Sequence, residues 1–360
     1  MHTVPAVEQY ARFAKTKIFE SLDGLRAISI LVVIWHHAPT AVPAWQITTR
    51  GFFGVDLFFI ISGFLIVTLI LREQRQTNTI SLTNFYTRRF LRIFPPYYLM
   101  LLVVGTTAYL KPDGTTSDAV KRDLPYALLY ISNLVPMYSQ LAITWSLSVE
   151  EQFYIVIPTI IKYARRALPI LLSFAYVLVC LPPFGFFPTV HFPPFFVETT
   201  FGPILLGTML AYVLDQPRGF SFASCIVGWR IMPVITLGLI IAILSYSPSD
   251  MSGWPRIAAH WAMLALVASC VVSQTNVLSP LLCLWPMRRI GVVSYGMYLY
   301  HLLVMHFVLK GLSAVGTING FAAFLGSALA TWVVAELSYR FFESRFLVLK
   351  KRYGSQTGVR

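Results

Sequence analysis

Apolar blocks of about 16–22 residues recur along the whole 360-residue chain, and this repetition limits its possible folds more than any other feature. A water-soluble protein would show one or two such blocks at most. The composition agrees, since 56% of the residues are hydrophobic and 12% are charged, against about 25% charged in soluble chains. We therefore predict an all-α fold, a polytopic bundle of transmembrane helices.

Ten segments fit membrane spans when Pro, Gly and charged residues are taken as their ends. They leave no stretch for a separate soluble catalytic domain, so any active site must be built from the helices and their ends. The predicted domains are a cytoplasmic tail over 1–23, a transmembrane domain over 24–339 and a second cytoplasmic tail over 340–360. The ten predicted spans are 24–43, 52–71, 93–110, 146–161, 167–184, 199–214, 231–247, 257–275, 290–309 and 319–339.

The basic residues predict which side of the membrane each loop faces. With a cytoplasmic N-terminus, 22 of the 28 Lys and Arg residues lie on the inner side. Loops on the cytoplasmic side carry an excess of Lys and Arg, so this orientation is the favoured one. Both termini are then cytoplasmic. The basic residues left on the outer side are Arg50, Lys111, Lys121, Arg122, Arg256 and Lys310.

One further apolar segment, Leu124 to Tyr138, is short and is bracketed by Pro125 and Pro136. Counting it as a span would place 13 of the last 15 basic residues outside. We therefore predict an interfacial or re-entrant piece on the outer side. The net charge of +13 then reflects anchoring to the inner leaflet, so the bilayer is the expected partner and nucleic acid is not.

The first span combines an arginine and a histidine. Ionisable groups inside a bilayer cost about 2.5–3.5 kcal/mol on insertion scales, so they suggest function. Arg26 and His37 are eleven residues apart, which places them on one helical face and about 16 Å apart along the axis. An anchoring arginine and a hydrogen-bonded histidine remain a simple alternative. Because imidazole suits proton transfer near neutral pH, His37 is predicted to be catalytic; His36 lies about 100° away.

The loop before the third span contains a second basic pair. Arg89 and Arg92 are three residues apart, so they share a helical face and can bind phosphate bidentately. Contacts with lipid headgroups are the common alternative. The pair becomes a candidate binding site because Arg26 is expected at the same membrane face.

Two adjacent glutamates, Glu150 and Glu151, lie in the string TWSLSVEEQFY, which begins at Thr144. Ser148 and Glu151 have the spacing of a capping box, so part of the string can simply start the fourth span. Two carboxylates at a membrane helix end exceed what capping requires. We predict that one of them orients an imidazole or accepts a proton from it.

Three other polar groups are interpreted as structural. Asp56 lies near the outer end of the second span, whose glycines allow close helix packing. Tyr298 and His301 lie one turn apart on a helix expected to be buried. Glu336 and Glu343 are expected to pair with arginines at the inner face.

Taken together, the Arg-then-His first helix and the strings GVDLFFIISGFLI, RRFLRIFP and WSLSVEEQFY resemble the membrane-bound acyltransferase-3 family of bacterial glycan O-acyltransferases. The resemblance extends from Phe19 to Phe346 in the family's order. It implies about ten spans in the bacterial inner (plasma) membrane and an acyl-CoA donor from the cytoplasm, most often acetyl-CoA. By motif, the family's first-helix histidine corresponds to His37 and its R-x-x-R pair to Arg89 and Arg92.

Joined with these residues, the resemblance implies transfer of an acyl group, most often acetyl in this family, from acyl-CoA to a carbohydrate hydroxyl. The acceptor would be a cell-surface polysaccharide, lipopolysaccharide O-antigen, exopolysaccharide or other glycoconjugate, or a lipid-linked glycan. Arg26, Arg89 and Arg92 would hold the coenzyme A phosphates. His37 would act as general base or acyl carrier, assisted by Glu150 or Glu151. No metal is expected.

The resemblance also suggests a partner protein, and one other class of membrane protein, a transporter or flippase, would use similar residues. Some members of the family carry an appended periplasmic esterase-like domain, which this chain lacks, so a second step on the acceptor is expected to need a separate periplasmic partner. A secondary transporter or flippase of a lipid-linked glycan would also line its path with Arg, His and Glu. Such carriers usually show paired repeats, and none is visible here.

Overall fold

A computed structural model describes residues 6–39, 46–110, 114–181, 201–248, 251, 253–316 and 319–353. Within these ranges the chain is helical and contains no β-strand, which confirms the predicted all-α class. The helices are α1 Ala6–Lys15, α2 Glu20–His37, α3 Phe53–Thr77, α4 Leu82–Leu110, α5 Thr115–Leu128, α6 Thr144–Ala164, α7 Leu168–Cys180, α8 Phe201–Asp215, α9 Pro217–Val227, α10 Met232–Tyr246, α11 Trp254–Val272, α12 Ser279–Leu282, α13 Trp285–Ala314, α14 Gly320–Ser338 and α15 Ser344–Arg352.

A helix lies at each of the ten positions predicted to span the membrane. Five described stretches are individually long and apolar enough to cross a bilayer, namely α3, α4, α11, α13 and the run Gly320–Leu349. A sixth results if α9 and α10, which are bent by 69° relative to each other, count as one span. The chain is therefore a multi-pass helical membrane protein. The number of ten spans and the side on which each terminus lies stay predictions.

Two helix boundaries differ from the prediction. Helix α4 begins at Leu82, eleven residues before the predicted start, and runs through Pro95 and Pro96. Proline removes a backbone hydrogen bond, but a neighbouring helix in a membrane protein can satisfy the freed groups. The two prolines leave the carbonyls of Leu91 and Arg92 without an intrahelical donor. The next carbonyl, that of Ile93, accepts a hydrogen bond from the hydroxyl of Tyr295 on α13 at 2.9 Å. Arg89 and Arg92 consequently belong to one continuous helix.

The end of α2 also differs from the prediction. The expected span continued to residue 43, with His37 well inside the membrane, whereas His37 is the last residue of α2 and its side chain is exposed. Ala38 adopts an extended backbone with ψ of 148°, because the residue before a proline disfavours the helical conformation. Residues 40–43 of the expected span lie outside the described residues.

The apolar segment around 124–138 turns back instead of crossing. Helix α5 lies against α4, where the Tyr97 hydroxyl donates to the Ala127 carbonyl at 2.7 Å. The chain then returns, since the buried carboxylate of Asp123 accepts hydrogen bonds from the backbone N–H groups of Tyr138 and Ser139, both at 2.7 Å. A segment that begins and ends at one level of the bundle fits the predicted re-entrant piece.

Helix α2 is packed tightly between α3 and α13. A Cβ atom on Gly54 of α3 would overlap the carbonyl oxygen of Ser29, and one on Gly291 of α13 would overlap that of Asp23. Lipid tails are as apolar as the side chains, so close packing of small residues is a main source of helix association in a membrane. These two contacts place both α3 and α13 directly against the backbone of α2.

The contact at Gly291 can be tested against a glycine that faces open space. Gly291→Ala would force α13 away from α2, at a cost of about 1–3 kcal/mol for overpacking, so the thermal unfolding midpoint in detergent should fall. Gly238 on α10 has no atom near the position of a Cβ. Gly238→Ala should leave the midpoint unchanged or raise it, because alanine is favoured over glycine in helices by about 1 kcal/mol. Equal midpoints for the two variants would contradict this packing.

Candidate active site

Two histidines meet where α2 ends. His37 lies at the last position of α2, and His301 of α13 is fully buried. The Nδ1 atom of His37 is 3.3 Å from the Nε2 atom of His301, and the ring centroids are 4.9 Å apart. The tight packing of α2 on α13 therefore brings a buried imidazole against an exposed one.

The hydrogen-bond partners assign the proton positions of this pair. His301 Nδ1 is 2.6 Å from the carbonyl oxygen of Tyr298, which can only accept, so Nδ1 carries the hydrogen and Nε2 is an acceptor. His37 Nδ1 faces two acceptors, the carbonyl oxygen of Val33 at 2.9 Å and His301 Nε2. Neutral His37 thus keeps its lone pair on Nε2, which receives no hydrogen bond from the described residues.

Tyr298 connects the histidine pair to α6. Its hydroxyl accepts a hydrogen bond from Ser146 at 2.7 Å and donates to the carbonyl of Ile143 at 3.1 Å. The carbonyl of the same tyrosine holds His301, so the orientation of His301 depends on the start of α6. Sequence reasoning treated Tyr298 and His301 as structural; their spacing of one helical turn was the available signal, but it did not reveal the contact with His37.

Three arginines gather near the beginning of α2. Arg26 of α2 and Arg89 of α4 each interact electrostatically with Arg92. Arg26 lies 3.5 Å from the carboxylate of Asp23, and the guanidinium of Arg89 lies 5.3 Å from the ring centroid of Tyr154. The structure thus brings together the three residues that the sequence suggested as a phosphate site.

The two glutamates lie with these arginines. Glu150 and Glu151 both interact electrostatically with Arg89, and Glu150 also interacts with Arg26. Arg26 is eleven residues from His37, which corresponds to about 16 Å along α2. In the structure His301 contacts Nδ1 of His37, and both glutamates interact with the arginines. That one of the glutamates orients His37 stays a prediction.

A comparison of the whole chain with known protein families agrees with these residue positions. Residues 19–337 match the model of the acyltransferase-3 family, which is described as an acyltransferase domain. The chain belongs to the acyltransferase-3 family. This match covers α2, the three arginines of the cluster, the two glutamates and His301.

Individual relatives support the same assignment. A protein of Staphylococcus aureus (strain COL) named "Putative O-acetyltransferase" is 31% identical over 362 residues, which cover 94% of this chain and 58% of that protein. The O-acetyltransferase OatA of Staphylococcus aureus (strain NCTC 8325 / PS 47) is 30% identical over 351 residues, covering 90% and 56%. The chain thus spans less than three fifths of the length of these relatives. No solved structure matches it.

A second buried charged group in this acyltransferase-3 chain links α3 to α11. Asp56 was expected at the outer interface, but it is buried, with 2% of its surface exposed. Its carboxylate lies 3.0 Å from Nε2 of His260 and 3.6 Å from the guanidinium of Arg256. A buried charge needs such partners, so this group joins two helices, in keeping with a structural role.

Near the C-terminus, the expected pairing of Glu336 is confirmed. Its two carboxylate oxygens accept hydrogen bonds from Arg289, both at 2.7 Å, and Arg340 also binds it. Glu343 interacts with Arg92 and accepts a hydrogen bond from Ser338 at 3.1 Å. The helical path continues through a π-helical turn at Tyr339–Glu343 into α15, so no break in the helix marks the predicted domain boundary at 340.

Breaking the buried pair at Asp56 should destabilise the protein. Asp56→Asn leaves His260 and Arg256 without their carboxylate, at a cost of about 3 kcal/mol, and should lower the unfolding midpoint clearly. Asp118→Asn is the matched control, because the Asp118 side chain is 60% exposed and surface pairs contribute about 0–1 kcal/mol. If both variants unfold at the wild-type temperature, the link between α3 and α11 contributes nothing.

Proposed function

We propose that this chain is a membrane-embedded O-acyltransferase that moves an acyl group from acyl-CoA to a hydroxyl of a carbohydrate. The observation that supports it most is the geometry of α2, which carries the arginine cluster near its start and His37, with a free Nε2 lone pair, at its end. The relatives named O-acetyltransferase favour acetyl as the acyl group and acetyl-CoA as the donor.

The arginine cluster would bind the phosphates of the donor. Coenzyme A carries a 3′-phosphate and a pyrophosphate, and Arg26, Arg89 and Arg92 offer guanidinium groups that suit bidentate binding. Nearby carboxylates, including Glu150 and Glu151, would hold these arginines in place until the phosphates replace them as partners. The pantetheine arm would then extend along α2 and bring the thioester towards His37.

At the histidine pair, Nε2 of His37 would accept the proton of the acceptor hydroxyl while its oxygen attacks the thioester carbonyl. The C–S bond then breaks, and the leaving thiolate takes the proton from His37 to give free coenzyme A. During the step His37 is an imidazolium whose Nδ1–H faces the carbonyl oxygen of Val33 and the lone pair of His301. These two acceptors would orient His37 and stabilise the imidazolium, the role that the aspartate has in a catalytic triad.

A covalent relay is the second chemical route. His37 Nε2 would attack the thioester itself, release coenzyme A and carry the acyl group to the hydroxyl. We favour the general-base route, and detection of acyl-His37 by mass spectrometry after incubation with acetyl-CoA alone would replace it with the relay.

The acceptor hydroxyl would belong to a surface polysaccharide, lipopolysaccharide O-antigen, exopolysaccharide or another glycoconjugate, either free or as a lipid-linked glycan. The enzyme would lie in the bacterial inner membrane.

Substitutions of His37 and His301 are expected to impair catalysis without unfolding the protein. His37→Ala should abolish acyl transfer, and His301→Gln should lower kcat about 10²–10⁴-fold with little change in the donor KM. The measurement is transfer by purified protein, together with the acyl mass on surface polysaccharide of a deletion strain that carries each variant. His306→Ala is the control, because His306 is an exposed histidine on the same helix.

Wild-type transfer by His37→Ala would overturn this mechanism. Reconstituted protein that shows ion-coupled uptake of a lipid-linked glycan and no acyl transfer would instead support the transporter or flippase.

The phosphate site makes a different kinetic prediction. Arg89→Ala should raise the KM for acetyl-CoA about tenfold or more, the loss expected for one charge-assisted hydrogen bond, while kcat changes less. Arg88→Ala is the neighbouring control, since Arg88 pairs with Glu73 at 2.9 Å away from the cluster. An unchanged donor KM in Arg89→Ala would contradict the phosphate role.

A further inference from the structure

Five tyrosines interact electrostatically with Glu151, and one of them differs from the others. Four have hydrogen-bond partners, whereas the hydroxyl of Tyr130 is buried and has no hydrogen-bond partner among the described residues. The four satisfied hydroxyls are those of Tyr97 with Ala127 at 2.7 Å, Tyr98 with Leu128 at 3.0 Å, Tyr295 with Ile93 at 2.9 Å and Tyr154 with Ser62 at 2.8 Å.

Glu151 itself has a similar unsatisfied atom. Its Oε1 is buried and lacks a partner within the described part of the chain. The next residue, Gln152, donates to the carbonyl of Tyr130 at 3.2 Å and exchanges hydrogen bonds with the Asn133 amide at 3.0 and 2.9 Å. Gln152 thus ties the backbone of Tyr130 to the turn of α6 that carries Glu151, so an unpaired donor and an unpaired acceptor belong to the same region of the bundle. Buried polar groups are almost always paired, so these two require an explanation.

The surroundings of Tyr130 limit what it can bind. Its ring stacks on Tyr97 and Phe94, with centroids 4.3 and 5.2 Å apart, and its backbone is held at a φ of 54°, which a bulky residue rarely adopts. With the ring already stacked, the hydroxyl is the group available to a ligand. A hydroxyl that donates and a carboxylate that accepts together complement a secondary amide, which offers one carbonyl and one N–H.

Residues of α13 show where Tyr130 and Glu151 lie along the bundle, relative to the arginines and the histidines. Gly291 packs against Asp23 at the arginine end of α2, and His301 contacts His37 at the other end. Tyr295 lies between these two positions on α13, and its hydroxyl donates to the carbonyl of Ile93, next to Phe94, on which the ring of Tyr130 stacks. The unsatisfied pair therefore lies between the arginine cluster and the histidines.

Resting on the acyl-CoA donor of the proposed function, we propose that Tyr130 and Glu151 form a subsite for an amide of the donor's pantetheine arm. Tyr130 donates to the amide carbonyl, and Glu151 accepts from the amide N–H. The pantetheine amides lie between the phosphates and the thioester, as the subsite lies between the arginines and His37. Binding the arm here sets the depth to which the thioester enters.

Two ligands separate this subsite from the phosphate site. Coenzyme A contains the pantetheine arm, whereas adenosine 3′,5′-bisphosphate carries the adenine and phosphates without it. Calorimetry on the purified full chain should show that Tyr130→Phe and Glu151→Gln each weaken coenzyme A binding about tenfold, the loss of one hydrogen bond to a buried group. Binding of the bisphosphate should stay unchanged in Tyr130→Phe. Glu151→Gln also removes a charge beside Arg89, so in that variant coenzyme A binding should weaken relative to bisphosphate binding. Arg89→Ala should weaken both ligands.

Tyr98→Phe serves as the control for Tyr130→Phe, and three outcomes would contradict the proposal. Tyr98→Phe removes a phenol whose hydroxyl already has a partner, and it should bind coenzyme A as the wild type does. An equal loss for both ligands in Tyr130→Phe and Glu151→Gln would assign the pair to the nucleotide part of the donor, and no loss for either would make it structural; each overturns the subsite. If Tyr130→Phe does not fold, the ratio of the two affinities in Glu151→Gln, compared with the wild type, decides. Wild-type protein that binds neither ligand would overturn the acyl-CoA donor itself.

Discussion

The contact of α2 with α3 and α13 through glycines is the constraint on which the rest of the site depends. At Gly54 and Gly291 the neighbouring backbones approach so closely that a Cβ atom would overlap a carbonyl oxygen of α2. This contact brings His301 to His37. In a bilayer the hydrophobic effect does not drive helices together, so packing of this kind carries much of the association.

Helix α2 separates two kinds of chemistry along its length. Charged groups collect at its start, where the arginines, glutamates and Asp23 compensate one another. Its end holds a neutral imidazole pair with one lone pair available. Keeping charge away from the histidines matters, because a cation cluster beside His37 would oppose its protonation. The separation suits a donor whose phosphates and reactive carbon are far apart.

Several features could be predicted from local patterns because they depend on one segment at a time. Apolar blocks predicted the helices, the proline-bracketed segment predicted the turn-back after α5, and the three-residue spacing placed Arg89 and Arg92 on one face. The helix ends were less predictable. Pro95 and Pro96 did not end α4, which runs through both, whereas α2 ends two residues before Pro39.

The sequence by itself determined the helical class, the membrane-spanning character and the residue types able to bind phosphate and move a proton. Only the tertiary structure decided which of them meet. It placed Glu150 and Glu151 with the arginines and gave His37 a histidine partner 264 residues away. The reason is physical: periodicity defines the face of one helix, but the crossing and rotation of two helices depend on how small residues let their backbones approach.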